Sequence, residues 1–155
     1  MRPTLYVLVG VPGAGKSTWV KNQKWAKDCA IVSTDEHVEA YAKAQGKTYS
    51  EVFEEYMPDA VERMVDDVYD AEACSADIIW DQTSTTVSTR AKKIRMLPDY
   101  YKIAVVFKIP PKEELERRLA GRPGKNIPAE VMDRMITGFE EVTLEEGFDE
   151  IWRAE

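Results

Sequence analysis

The chain contains the stretch Gly10-Val11-Pro12-Gly13-Ala14-Gly15-Lys16-Ser17-Thr18 directly after the apolar run 5–9. The stretch matches the phosphate-binding loop (P-loop) pattern Gly-x-x-x-x-Gly-Lys-Ser, which connects a buried strand to a helix. Its glycines let successive backbone N–H groups point at phosphate oxygens. We therefore predict that residues 10–18 bind ATP, that Lys16 contacts its β- and γ-phosphates, and that Ser17 holds Mg²⁺. A glycine-rich turn with a chance lysine is the alternative.

Composition and charge indicate one soluble globular domain over residues 1–155. Hydrophobic residues make up 44% of the chain and charged residues 32%, which is enough for a proper core. The formal net charge of −7 argues against a broad basic surface for duplex DNA, but allows a small groove for one strand or one nucleotide. Cys29 and Cys74 are too few for a disulfide framework or a zinc site, which favours a reducing cytoplasm. No segment predicts a membrane span or a secretion signal.

Apolar runs and helical periodicities alternate along the chain, which predicts an α/β fold. The predicted strands cover 5–9, 30–33, 77–81, 102–109 and 150–153, and the predicted helices cover 17–27, 36–45, 50–75, 88–96, 112–119 and 128–139. Pro58 is expected to restart the third helix. This order predicts a central, mostly parallel five-stranded sheet covered on both faces, with a short helical lid around 121–125. Ligands of such sheets lie beyond the carboxyl ends of the strands.

Carboxylates follow two of the predicted strands. Asp35 comes after strand 30–33 and Asp81 ends strand 77–81, so both are expected above the P-loop. Phosphoryl transfer to an alcohol needs a carboxylate that accepts the proton of the attacking hydroxyl, and Asp35 is the candidate. Capping the helix that begins at Glu36 is the alternative role of Asp35. Asp81 could hold Mg²⁺ through water, orient a lid arginine or cap the turn 82–84.

Two groups of basic residues follow these strands. Arg117, Arg118 and Arg122 border the loop with Gly121, Pro123 and Gly124. Arginines in a mobile lid can fold over a nucleotide and stabilise the charge of the transferring phosphoryl group. A solvated basic turn at a helix C-terminus is the alternative. The run Arg90–Arg95 is either the exposed face of a helix or a track for a nucleic-acid backbone.

Together these residues resemble the 5′-kinase domain of polynucleotide kinases, over nearly the whole chain. The matching segments are Gly10–Thr18 with Trp19, Ser33-Thr34-Asp35, Asp81-Gln82-Thr83 followed by Arg90, Arg118 and Arg122 before Ile127-Pro128, and Phe139-Glu140 with 143–148. The P-loop alone indicates nucleotide binding, whereas the later motifs in this order indicate the family. The resemblance implies a single three-layer P-loop kinase domain.

The resemblance also implies a role for each matched residue. Asp35 would be the general base, while Lys16 and Arg122 would contact the transferring phosphoryl group; these three are the candidate catalytic residues. Ser17 would bind magnesium, and Arg118 and Arg122 would bind ATP, with Arg118 also supporting the lid. The residues implied to bind the substrate are Asp81, which belongs to the active-site network, Thr83 and Arg90.

The chain departs from that family at two positions. Phage-type polynucleotide kinases carry an arginine three residues after the base, where it contacts the neighbouring phosphate of the acceptor, but this chain has Val38. The family's Asp-x-Thr-Asn motif is Asp81-Gln82-Thr83-Ser84 here. The departures leave the phosphotransfer residues in place and weaken the expectation of 5′-end recognition.

The chain is also similar to small phage kinases that phosphorylate the hydroxymethyl group of 5-hydroxymethyluracil in DNA. We therefore predict an ATP- and Mg²⁺-dependent kinase with a DNA acceptor, acting in the cytoplasm, which is the host cytoplasm if a phage encodes it. The alternatives are a polynucleotide 5′-hydroxyl kinase, a small-metabolite or nucleoside kinase, which the net charge of −7 favours, and a nucleotide-dependent switch. Asp35 argues against the switch, because a switch needs no base for an acceptor hydroxyl.

Overall fold

The computed structural model describes residues 2–154 and contains a five-stranded sheet of order β2-β3-β1-β4-β5. All four neighbouring pairs are parallel, because successive strands are joined by crossovers through helices. The strands are β1 (Thr4–Val9), β2 (Ala30–Val32), β3 (Ile78–Trp80), β4 (Tyr101–Phe107) and β5 (Glu150–Ala154). The sheet confirms the predicted α/β class, and it places the carboxyl end of every strand at the same edge.

Helices cover both faces of the sheet. In the described part of the chain they are α1 (Lys16–Asn22), α2 (Asp35–Gln45), α3 (Tyr49–Ala73), α4 (Val87–Met96), α5 (Lys112–Ala120) and α6 (Ala129–Thr137), with 3₁₀ turns at Lys24–Asp28 and Leu144–Glu146. Residues of α3 and α4 pack on one face, together with Leu5, Val7 and Val9 of β1. Residues of α1 and the first 3₁₀ turn pack on the other face, together with Leu8. This arrangement is the three-layer P-loop kinase-like fold.

The central strand β1 shows why the fold places the P-loop where it does. Leu5, Val7, Leu8 and Val9 are fully buried, as expected for a strand with helices on both faces. Leu5 is in register with Ile78 of β3 on one side and with Lys102 of β4 on the other. The P-loop therefore emerges at the middle of the sheet edge, next to the segment that follows β3.

Two helices differ from the predicted ones. Helix α3 runs unbroken for 25 residues through Pro58. Pro58 lies on the exposed side, where water can bond the carbonyl group that proline leaves without an N–H partner. The buried residues Val52, Ala60 and Met64 hold the helix on both sides of the proline. Helix α1 ends earlier than predicted, because Gln23 is extended and a 3₁₀ turn follows.

The structure also addresses membrane insertion. None of the helices in residues 2–154 is long and apolar enough to cross a bilayer.

Candidate functional site

The P-loop wraps around the ammonium group of Lys16. The Nζ atom of Lys16 donates to the carbonyl oxygens of Gly10 at 2.7 Å and Val11 at 3.1 Å. Gly13 and Gly15 have φ angles of 84° and 101°, which side chains other than glycine rarely adopt. Burial lowers the pKa of Lys16 to about 8. The carboxylates of Asp81 and Asp35 oppose this lowering, and the positive charge of Arg122 adds to it. A partly buried cation that, in residues 2–154, forms no ion pair with a carboxylate suits an anionic ligand.

The two predicted carboxylates lie in the same cavity as this lysine. The backbone N–H of Asp81 bonds to the carbonyl oxygen of Val32 at 2.8 Å, which ties the end of β3 to β2. Burial raises the pKa of Asp81, and the negative charge of Asp35 raises it further, whereas Lys16 opposes the rise. Lys16, Asp35 and Asp81 therefore line one cavity, and a phosphate group with a divalent cation would complete this arrangement of charges.

Asp35 does not cap helix α2. The helix begins at Asp35 itself, and the Ser33 hydroxyl accepts from the N–H of Glu36 at 3.3 Å. The Oδ1 atom of Asp35 instead accepts a hydrogen bond of 2.6 Å from the hydroxyl of Tyr49. The capping alternative is therefore wrong, and the carboxylate is left to face the cavity.

Sequence reasoning missed Tyr49. The signal that points to it is the pattern Thr48-x-x-Glu51, a capping box that begins helix α3 at residue 49. Both bonds of the box are present, from the N–H of Glu51 to Thr48 Oγ1 at 3.2 Å and from the N–H of Thr48 to Glu51 at 2.9 Å. Nothing in the local pattern shows that this tyrosine meets a residue of α2.

The lid consists of α5, the loop 121–128 and α6, and it lies against the P-loop and α3. Arg118 donates to the carbonyl oxygen of Gly13 at 2.8 Å. The carbonyl oxygen of Gly124 accepts from the N–H of Ser50 at 3.0 Å, and the Ser50 hydroxyl accepts from the N–H of Asn126 at 2.8 Å. Lys125 forms an ion pair with Glu39. The lid is thus anchored to the helices that carry Asp35 and Tyr49.

Between the P-loop, the lid and α3 lies a cavity of about 1830 Å³. Single-ligand pockets usually measure about 300–1,000 Å³, so this one has room for a nucleotide and a second substrate. The predicted site residues that line it are Pro12, Gly13, Ala14, Gly15, Lys16, Ser17, Thr18, Asp35, Asp81, Thr83, Arg118 and Arg122. Gly10 stands at the start of the loop, where its N–H bonds to the carbonyl oxygen of Thr83 at 2.9 Å, and Val11 is buried among residues of the lid.

Arg90 is not part of this site. Its side chain is 0% exposed and donates to both carboxylate oxygens of Glu146, at 2.7 and 3.2 Å. Its other bonds go to the carbonyl oxygens of Ser84, Glu140 and Glu141. These bonds correct the prediction that Arg90 contacts the substrate: the arginine joins α4 to the segment before β5. Lys93 is also buried, with its ammonium group 5.3 Å from the centre of the Trp80 ring, so the run 90–95 offers no continuous basic track.

The donor atoms of the site fit a magnesium ion that is also bound by phosphate. Ser17 is exposed to the cavity, and the carboxylates of Asp35 and Asp81 line it. Magnesium prefers oxygen ligands and retains waters, so one hydroxyl and nearby carboxylates suffice when phosphates supply the rest. Residues 2–154 contain no cluster of three or more His, Cys, Asp or Glu side chains that could hold a metal ion without phosphate.

The profile of the AAA domain family (AAA_33) matches residues 5–142 of the chain. The chain belongs to this family. The matched region contains the P-loop, both carboxylates and the lid, and its fold is that of a P-loop kinase. No curated protein matches the chain at the level of sequence.

Solved structures of similar fold include two that are named as kinases and one from an RNA repair complex. A candidate kinase from Chloroflexus aurantiacus j-10-fl has a TM-score of 0.75 at 14% identity, and the match covers 99% of this chain and 88% of the kinase chain. A gluconokinase from Sinorhizobium meliloti 1021 has a TM-score of 0.56 at 16% identity, and the match covers 99% of this chain and 83% of the gluconokinase. A chain of the Pnkp1/Rnl/Hen1 RNA repair complex has a TM-score of 0.65 at 20% identity, and the match covers 88% of this chain and 44% of the chain from the complex. At these identities the similarity shows the fold.

Proposed function

We propose that the protein is an ATP-dependent kinase that transfers the γ-phosphoryl group to an alcohol. The observation that carries the proposal is the position of Asp35: a carboxylate exposed to the cavity that also contains the P-loop lysine. Its negative charge raises the pKa of Lys16, against the burial that lowers it to about 8, so the two groups lie near each other. A nucleotide-dependent switch would not need such a base.

The proposed reaction uses these groups in one displacement. Asp35 accepts the proton of the acceptor hydroxyl, and the oxygen forms a bond to the γ-phosphorus while the bond to the β–γ bridging oxygen breaks and ADP leaves with the electron pair. Lys16 and Arg122 stabilise the negative charge on the transferring group. Magnesium held by Ser17 and the phosphates would supply further positive charge when bound.

For the acceptor we propose the hydroxymethyl group of a base such as 5-hydroxymethyluracil in DNA. Two aromatic rings line the cavity beside Asp35: Tyr49, and Phe53, which is 40% exposed, with ring centres 5.5 Å apart. An exposed aromatic ring can stack on a base that has left the duplex. Val38 is fully buried against α3, so the position that carries an arginine in 5′-end kinases faces the core here. This favours a base over a 5′-hydroxyl end.

A small alcohol such as a sugar or nucleoside is the second candidate acceptor. The buried Arg90 and Lys93 remove the basic track that a DNA strand would use, and Glu51 and Glu54 line the cavity on the side of Asp35. Carboxylates at this position repel the phosphates of a strand and leave an uncharged alcohol unaffected.

One experiment tests both levels of the proposal. Labelled ATP is offered with DNA that contains hydroxymethyluracil, with 5′-hydroxyl oligonucleotides, and with free nucleosides and sugars. Transfer to the modified DNA supports the first acceptor, and transfer only to free nucleosides or sugars supports the second. ATP hydrolysis without transfer to any acceptor would refute the kinase and favour the switch.

The Asp35→Asn variant tests the base directly. Loss of a positioned base is expected to lower kcat by about a hundredfold or more, with nearly unchanged affinity for ATP, because the P-loop is intact. Asp67→Asn is the matched control, since Asp67 pairs with His37 on α2 and does not line the cavity. Equal rates in the Asp35→Asn variant and wild type would remove Asp35 from the reaction.

A further inference from the structure

The hydroxyl of Tyr49 connects the first turn of α3 to the carboxylate at the start of α2. Tyr49 is partly buried, and its hydroxyl donates to Oδ1 of Asp35 at 2.6 Å. Burial raises the pKa of Tyr49 far above its usual value, and the hydrogen bond to Asp35 raises it further. The phenol is therefore protonated at neutral pH and acts as the donor of this hydrogen bond.

Tyr49 is itself held in place from two sides. The capping box of Thr48 and Glu51 fixes the first turn of α3. On the other side, the ammonium group of Lys125 lies 4.6 Å from the centre of the Tyr49 ring and 4.0 Å from Oδ2 of Asp35. The lid loop is bonded to the same turn through Ser50. The tyrosine is thus a fixed donor, whereas the Asp35 side chain is 53% exposed and needs a partner to keep one orientation.

We propose that Tyr49 is a positioning residue that holds the carboxylate of Asp35 in the orientation needed to accept the proton of the acceptor. This inference rests on the proposed function and adds a residue to it. With Oδ1 bonded to the phenol, Oδ2 is the oxygen that faces the acceptor, beside Lys125 of the lid. An oriented base reacts faster because the hydroxyl finds its acceptor atom already in place.

A purely structural role for the hydrogen bond is the competing explanation. Helices α2 and α3 already pack through the buried side chains Val38, Ala42, Val52 and Ala60. A single hydrogen bond at a half-exposed carboxylate adds little to an interface that is already packed in this way. The positioning role and the structural role therefore predict different outcomes when only the hydroxyl is removed.

The test is Tyr49→Phe, which retains the ring beneath Lys125 and the contact with Phe53. We expect kcat to fall about tenfold or more, with the KM for ATP unchanged, because the donor site is intact. In the Asp35→Asn background the same substitution should have no further effect, since residues that act as one unit are not additive. Tyr101→Phe is the matched control: it removes a 2.6 Å tyrosine–carboxylate bond to Glu150, outside the cavity.

A second measurement does not depend on activity. NMR three-bond couplings of Asp35 report its χ1 angle, and we expect one rotamer in the wild type and averaging between rotamers in Tyr49→Phe. Averaging in a protein that phosphorylates no acceptor would preserve the positioning role and refute the kinase. An unchanged rotamer, an unchanged kcat, or a rate loss that persists in the Asp35→Asn background would each overturn the positioning role.

Discussion

Replacing Lys16 with methionine is expected to stabilise the nucleotide-free protein while it abolishes phosphotransfer. Burial lowers the pKa of Lys16 from 10.5 to about 8, with a smaller contribution from Arg122 and opposition from Asp81 and Asp35. Each unit of pKa corresponds to about 1.4 kcal/mol, so this lowering places a penalty of about 3 kcal/mol on the charged folded state at pH 7. Solvent access and the bonds lost from Gly10 and Val11 reduce the expected gain to about 1–2 kcal/mol.

The pH dependence of this gain has a definite sign. The pKa of Lys16 is lower in the folded state than in the unfolded state, so between pH 8 and 10.5 the unfolded chain binds more protons. The penalty on the wild type is therefore complete below pH 8, decreases as the pH rises to 10.5, and is absent above it. The difference in the free energy of unfolding between Lys16→Met and wild type should decrease over the same range.

Urea denaturation at pH 7, 9 and 10.5 without nucleotide measures this difference, and calorimetry with ATP measures binding. Lys16→Met should bind ATP far more weakly, because the phosphates lose the cation that the P-loop holds. Lys92→Met, at an exposed position of α4, is the control and should change neither quantity. A variant that is less stable than wild type at pH 7, a difference that does not change with pH, or transfer at the wild-type rate would each refute the reasoning.

Three further substitutions have definite expected outcomes. Arg122→Ala should lower kcat more than it changes the KM for ATP, because a lid arginine acts on transition-state charge; steady-state kinetics with varied ATP measures both. Arg90→Met leaves the carboxylate of Glu146 buried without its partner and should cost about 3–5 kcal/mol of unfolding free energy, with an unchanged KM for acceptor when assayed where the variant is folded. Burial lowers the pKa of Lys93 to about 8, so Lys93→Met should gain about 1 kcal/mol of stability and raise the Tm measured by calorimetry by about 2–4 °C. A lower Tm would show that the contact of Lys93 with Trp80 outweighs the cost of its burial.

The sequence alone determined the fold class and the location of the site. The P-loop pattern after an apolar run and the alternation of strands with helices depend on local periodicity and glycine geometry, which a single chain displays directly. Since parallel strands end at one edge, the placement of Asp35 and Asp81 beside Lys16 followed from strand order. The catalytic roles of these residues stay predictions until the variants are measured.

Only the tertiary structure decided which basic residues face the cavity and which side chain bonds to Asp35. The run 90–95 has the composition of an exposed helix, yet Arg90 is buried because the segment before β5 supplies Glu146 and two backbone carbonyls as partners. Tyr49 lies fourteen positions from Asp35, and their contact depends on how α2 and α3 pack. Periodicity shows which face of a helix is apolar, but it contains no information about which residue of a distant segment lies opposite a given polar side chain.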